Sequence, residues 1–148
     1  MRFLRGQVTS ETMIILGMSL IVILIAAVLA NQYLTDLNAQ KASNEARLAV
    51  GDLASAANSV WRQGIGAKKR VLVKIPSGVN SSNNVTFIGR PANDSSSPMR
   101  TINIRFSYGD VAASTDVDVN GTMPANPGGY SLWVISRDTY VYIGNSSS

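Results

Sequence analysis

Apolar positions follow three different rhythms along this chain. From Thr12 to Leu34 no charged residue occurs, and between Met13 and Ala30 eleven residues are Leu, Ile or Val. As a helix this stretch is about 35 Å long, enough to cross a hydrocarbon core of about 30 Å. At about −0.3 to −0.6 kcal/mol for each central Leu, Ile or Val, insertion is favoured by about 3 to 7 kcal/mol. The second rhythm begins near Ala42. Ala42, Ala46, Ala49, Val50, Leu53, Ala56, Ala57 and Val60 recur at three- and four-residue spacing, which is one face of an amphipathic helix. Lys41, Asn44, Glu45, Asp52, Ser55 and Asn58 fall on the opposite face. No proline precedes Pro76, and Gly51 costs only about 1 kcal/mol against Ala.

The two rhythms predict one helix from about Thr12 to Trp61, stopped by Gly64 and Gly66. The alternative is a break near Asn31 or Asn38. A domain of this size cannot bury such a helix throughout. Its first half must be covered by lipid or by copies of itself. Its second half has a stripe suited to a β-sheet of its own chain.

The third rhythm has period two. "RVLVKI" (Arg70–Ile75), "VTFIGR" (Val85–Arg90), "TINIRFS" (Thr101–Ser107), "TDVDV" (Thr115–Val119), "YSLWVIS" (Tyr130–Ser136) and "TYVYIG" (Thr139–Gly144) alternate or are β-rich. Pro, Gly, Asn and Ser fill the gaps, and Arg137-Asp138 is a short hairpin candidate. About six strands with intervening turns predict an antiparallel sheet, sandwich or partly open barrel. The runs are too closely spaced for βαβ units. The fold class is therefore α+β: a long N-terminal hydrophobic helix followed by a C-terminal antiparallel β-domain.

Charge fixes the orientation and removes several function classes. The 148 residues include 13 Lys+Arg and 9 Asp+Glu, for a net charge of +4. Arg2 and Arg5 precede the apolar run, which keeps that end cytoplasmic and places everything after Leu34 outside. The rest of the excess is scattered apart from Lys68, Lys69 and Arg70, read as a solvated helix-to-strand corner. That is not the clustered stripe a nucleic acid needs, so no nucleic-acid partner is expected. There is no cysteine and no histidine. Thiolate metal sites, disulfides and the commonest general base are thus excluded. Asp116 and Asp118 alternate along a strand but lack the spacing of a calcium loop, and are read as a solvated face. "GIG" (Gly64–Gly66) follows no strand and is no dinucleotide loop. Trp133 is read as core or sheet-facing. No Asp/Glu pair has the context of a hydrolase. No catalytic residue, metal or cofactor is expected.

One residue is left unexplained by a membrane anchor. Glu11 stands at the edge of the apolar run. Near a helix start a carboxylate gains about 0.3–1 kcal/mol from the helix dipole. A second role follows if the chain is cut after Gly6. Glu11 is then the fifth residue, and the new amine of Gln7 on one copy can neutralise Glu11 on another. An unpaired carboxylate buried in an apolar bundle costs several kcal/mol, so only the stagger that pairs the two charges is tolerated.

"RGQVTSE" (Arg5–Glu11) ahead of "TMIILGMSLIVILIAAVLA" (Thr12–Ala30) resembles the class III signal peptide of archaeal type IV pilin-like proteins. The family pattern is a short basic leader, Gly or Ala, then Gln-x-Ser-x-Glu and a hydrophobic helix. Gln7 matches the first mature residue and Glu11 the fifth. Thr9 stands where Ser is usual and keeps the hydroxyl. The resemblance covers about the first thirty residues. It implies a prepilin-type peptidase cutting between Gly6 and Gln7, a leader over 1–6, a retained helix over 7–63 and a globular domain over 64–148. It further implies a subunit that leaves the cytoplasmic membrane through an assembly machinery and polymerises with itself into a surface filament, with adhesion as its use. Glu11 and Gly17 are the expected assembly residues, and Ser19, Ala26 and Ala27 also allow close helix approach. Alternatives are a minor pilin or archaellin for motility, a single-span anchored extracellular binding domain, and a secretory signal peptide cut after Ala30 in "VLANQ".

Five N-x-[S/T] sequons occur, at Asn80, Asn84, Asn93, Asn120 and Asn145. All follow the apolar run, in turns, near a strand end or in the tail, which agrees with the exterior side of a membrane. Polar turns favour Asn and Ser in any case.

Overall fold

The computed structural model describes residues 3–80, 86–90, 99–124 and 126–145, with side chains from Thr9 onward. Helix α1 runs from Phe3 to Gln63 and is broken at neither Asn31 nor Asn38. The Ser19 and Thr35 hydroxyls donate to the carbonyls of Ile15 (2.8 Å) and Asn31 (3.0 Å), so these polar groups carry their own partners along the helix. α1 stops where the glycines predicted. Gly64 and Gly66 have φ of 96° and 86°, and the Gly64 N–H donates to the Trp61 carbonyl at 3.1 Å. That left-handed conformation turns the chain out of the helix at little cost for glycine.

The chain divides into two compact units, Met1–Ala39 and Gln40–Ser148. The described part of the first is helix. The second holds the remainder of α1 and seven described strands: β1 (Lys68–Ile75), β2 (Phe87–Gly89), β3 (Thr101–Phe106), β4 (Gly109–Ser114), β5 (Val119–Gly121), β6 (Gly128–Ser136) and β7 (Val141–Gly144). They form one sheet in the order β1-β6-β7-β5-β2-β3-β4. Every neighbouring pair is antiparallel except β5 and β7. The turn from Arg137 to Tyr140 folds β7 back against β6, with the Arg137 N–H donating to the Tyr140 carbonyl at 2.9 Å. That return lays β7 parallel to β5, from which β6 separates it in sequence.

Strand alternation turns one face of the sheet inward. Val71 and Val73 of β1 stand opposite Leu132 and Tyr130 of β6, and Ile102 and Ile104 of β3 lie on the same face. They join Val119, Val141 and Ile143 in a core with the whole predicted helical stripe, Ala42 to Val60. Six of the buried helix residues are alanines, and Leu53 is the largest wholly buried side chain of the stripe. Two glycines set the sheet's spacing at β5. A Cβ on Gly89 would collide with the Val119 carbonyl, and one on Gly121 with the Ile143 carbonyl.

Two strand expectations need correction. β4 was not foreseen. "TDVDV" forms a strand only from Val119 onward. In the segment before it, the Thr115 hydroxyl donates to the Val117 carbonyl (2.7 Å) and the Asp116 N–H to Asn58 Oδ1 (2.9 Å). The Thr115 N–H donates to the Arg100 carbonyl at 2.9 Å and the Asp118 carbonyl accepts from the Val141 N–H at 2.8 Å, but the bend at Asp116 and Val117 between them interrupts the ladder.

Candidate assembly surface

The main bare apolar surface among the described residues is the stretch of α1 from Met13 to Leu34. Fifteen large apolar side chains from Met13 to Leu34 are 56–72% exposed. They point in every direction around the helix. The most apolar 18-residue window has a mean hydropathy of 3.0 and no buried residue. By length and composition this helix can cross a membrane. Burying one such side chain is worth about 1.5–3 kcal/mol, so on the order of 20–40 kcal/mol of apolar burial is unrealised in the isolated chain. Gly17 has nothing within 4 Å of where a Cβ would stand, which leaves a dent in the surface.

Glu11 is exposed on this helix and, among the described residues, joins no ion pair. Because α1 starts at Phe3, Glu11 lies beyond its first turn. The dipole effect fades within that turn, so the capping role does not apply in the uncut chain. Gly6 and Gln7 belong to the helix, and their side chains lie outside the described residues, as does all of Arg2.

The sequons are not gathered together. Asn80 is exposed after β1, and its N–H donates to the Arg105 carbonyl at 2.8 Å. Asn120 is exposed on β5 opposite Tyr142 of β7. Asn145 is exposed directly after β7. Asn84 and Asn93 lie outside the described residues.

Four ion pairs are described. Lys74 of β1 meets Glu45 of α1 at 2.8 Å, Arg62 meets Asp116 at 3.4 Å and Arg100 meets Asp118 at 2.9 Å. Asp116 and Asp118 are therefore held apart by separate cations, and do not form the common strand face that alternation suggested. The fourth pair, Arg105 with Asp110, links β3 to β4. The hydrogen bond from Arg105 holds the Asp110 carboxyl below the usual carboxylate range, against a slight opposing effect of burial. Among the described residues no three Asp or Glu side chains gather where a metal could sit.

Sequence reasoning did not find the outward side of β1 and β6. Arg70 lies over the half-buried Trp133 ring, 5.9 Å from its centroid, and also donates to the Ser131 hydroxyl. Leu72 beside it is 81% exposed. The period-two pattern marks Arg70 and Leu72 as outward, but only the pairing of β1 with β6 puts Arg70 on Trp133. The cations at Lys68, Lys69 and Arg70 stand exposed at the corner between helix and sheet, as expected. Compared with family models, with curated proteins and with solved structures, the chain matches none.

Proposed function

We propose that this protein is the structural subunit of an extracellular type IV pilus-like filament. One observation carries the reading. A single helix has one stretch buried one-sidedly against its own sheet, Ala42 to Val60, and another, Met13 to Leu34, that is apolar all round and bare. The order of a long N-terminal apolar helix followed by a β-sheet is compatible with a pilin-like architecture. The leader-like "RGQVTSE" ahead of the helix adds the processing signal.

The mechanism is exchange of surroundings. A prepilin-type peptidase removes residues 1–6 at the cytoplasmic face. The helix then leaves lipid and packs among identical helices, trading one apolar neighbour for another at little hydrophobic cost. The amine of Gln7 neutralises Glu11 of a neighbour, so the wrong stagger leaves a buried charge and is rejected. The β-domains form the outer wall, and sugars on exposed sequons cover its surface. Surface attachment is the use.

Electron microscopy of material shed from expressing cells, with a peptide map of its main band, tests this. Filaments built from this chain are expected. Isolated molecules embedded in the membrane, with no fibres, would instead make the bare helix a single-span anchor for an exterior domain.

A further inference from the structure

We infer that neighbouring copies pack α1 against α1 with a stagger of five residues, set by two ion pairs between copies: Lys41 with Asp36, and Asp52 with Arg47. This rests on the filament reading above and adds to it the register of the upper helix.

Six charged side chains occupy α1 after Leu34: Asp36, Lys41, Glu45, Arg47, Asp52 and Arg62. Two are used within the chain, Glu45 by Lys74 and Arg62 by Asp116. The other four are exposed and, among the described residues, join no ion pair. Their spacing is regular. Asp36 and Arg47 are eleven residues apart, and so are Lys41 and Asp52. Eleven residues are close to three turns, so each pair lies on one row, within about 20° around the axis. The second row is rotated about 140° from the first. Between the rows lies an exposed arc bearing Asn44, Leu48 and Gly51, and on the far side lies the alanine stripe buried against the sheet.

The rows carry opposite orders of charge. One reads acid then base, the other base then acid. Set the first row of one copy beside the second row of a parallel neighbour. A slide of five residues, about 7.5 Å, brings Lys41 level with Asp36 and Asp52 level with Arg47 together. A slide of six residues the other way sets Lys41 against Arg47. A slide of sixteen in the first direction sets Asp52 against Asp36. Exposed ion pairs hold only weakly, and the selectivity comes largely from repulsion at the wrong slides. Because the two rows differ, each copy offers one row to one neighbour and the other row to the next. Such a contact propagates instead of closing a pair.

The chain has no cysteine, so crosslinks report without background. The full chain carrying Asp36→Cys with Lys41→Cys is expressed with its assembly machinery. Filaments are collected, oxidised mildly and run on a non-reducing gel. Residues five apart on one helix lie beyond the roughly 7 Å Cα reach of a disulfide, so only bonds between copies form. Asp52 and Arg47 remain to hold the register. A ladder of dimers, trimers and longer oligomers is expected from this variant, and none from Lys41→Cys with Arg47→Cys. Filaments visible by microscopy that give the reverse pattern, or no ladder from the first variant, overturn the stagger and leave the filament reading standing. Absence of filaments from the unaltered chain overturns both.

Discussion

Two stretches of α1, apolar at 18 of 22 positions in one and at 10 of 19 in the other, meet opposite fates. Met13 to Leu34 is bare, and Ala42 to Val60 forms the helical half of a core. The difference lies in arrangement around the axis. In the second stretch small apolar residues share one face, and Lys41, Asn44 and Asp52 keep the other wet. One sheet can cover that. In the first, Leu, Ile and Val point everywhere, and no single layer of the same chain can cover them all. A helix that is apolar all round must be surrounded. Hydrophobicity sets the demand for cover, and its angular spread decides whether the chain can supply that cover itself.

The contrast can be broken most strongly by truncation. Leu53→Ala should cost about 2–5 kcal/mol of unfolding free energy, because a wholly buried side chain leaves a cavity. Leu24→Ala should leave unfolding within about 0.5 kcal/mol and act on assembly alone. Equal losses in denaturant melts of the two variants would erase the distinction. Next in size is Glu11→Ala. Export should continue while filament mass per cell falls about tenfold, equivalent to about 1.4 kcal/mol in assembly. Filaments at the normal level would leave Glu11 without a role between copies.

The remaining tests sharpen the contrast more gently. Intact mass of the mature protein should place its first residue at Gln7; a start at Asn31 would mean that the bare stretch is discarded. Deglycosylation should lower the mass of native material, and Asn120→Gln should reduce that shift if the exposed sequon on β5 is used. The smallest effect is at the β3–β4 pair. The folded-state carboxyl of Asp110 titrates below its unfolded value, so its contribution is present above about pH 4 and fades as pH falls through the lower folded value. The stability gap between the unaltered chain and Asp110→Asn should be measurable at about pH 6 and shrink as pH falls below about 4. A gap that persists in acid would show that the pair acts through packing instead of charge.

Periodicity made the helical stripe legible. All eight of its residues are buried, because a 3.6-residue repeat sustained over nineteen positions fits the face of a helix and does not fit a strand. The helix end was legible because two glycines can take the left-handed turn that other residues resist. β4 was hidden: Gly109–Ser114 has one β-branched apolar residue, Val111, and becomes a strand by pairing with β3 across the Ser107-Tyr108 turn. The place of β7 between β5 and β6 was hidden too, since strand order depends on partners far away in sequence. The bare helix was evident from the first apolar run. The free charges were not, because availability depends on Lys74 reaching Glu45 and Asp116 reaching Arg62.

The position of β7 has a consequence for biogenesis. Residues 141–144 fill an interior place in the sheet, with β6 on one side and β5 on the other. Until they arrive, β5 has no partner on that side and the sheet stays open at its middle. Closure must therefore wait for translation of that segment, and the pairing of β7 with β5, about twenty residues earlier in the chain, is slower than its hairpin with β6. A pause in synthesis before that segment would leave β5 unpaired on the side β7 takes and the sheet open between β5 and β6, a natural target for quality-control proteases.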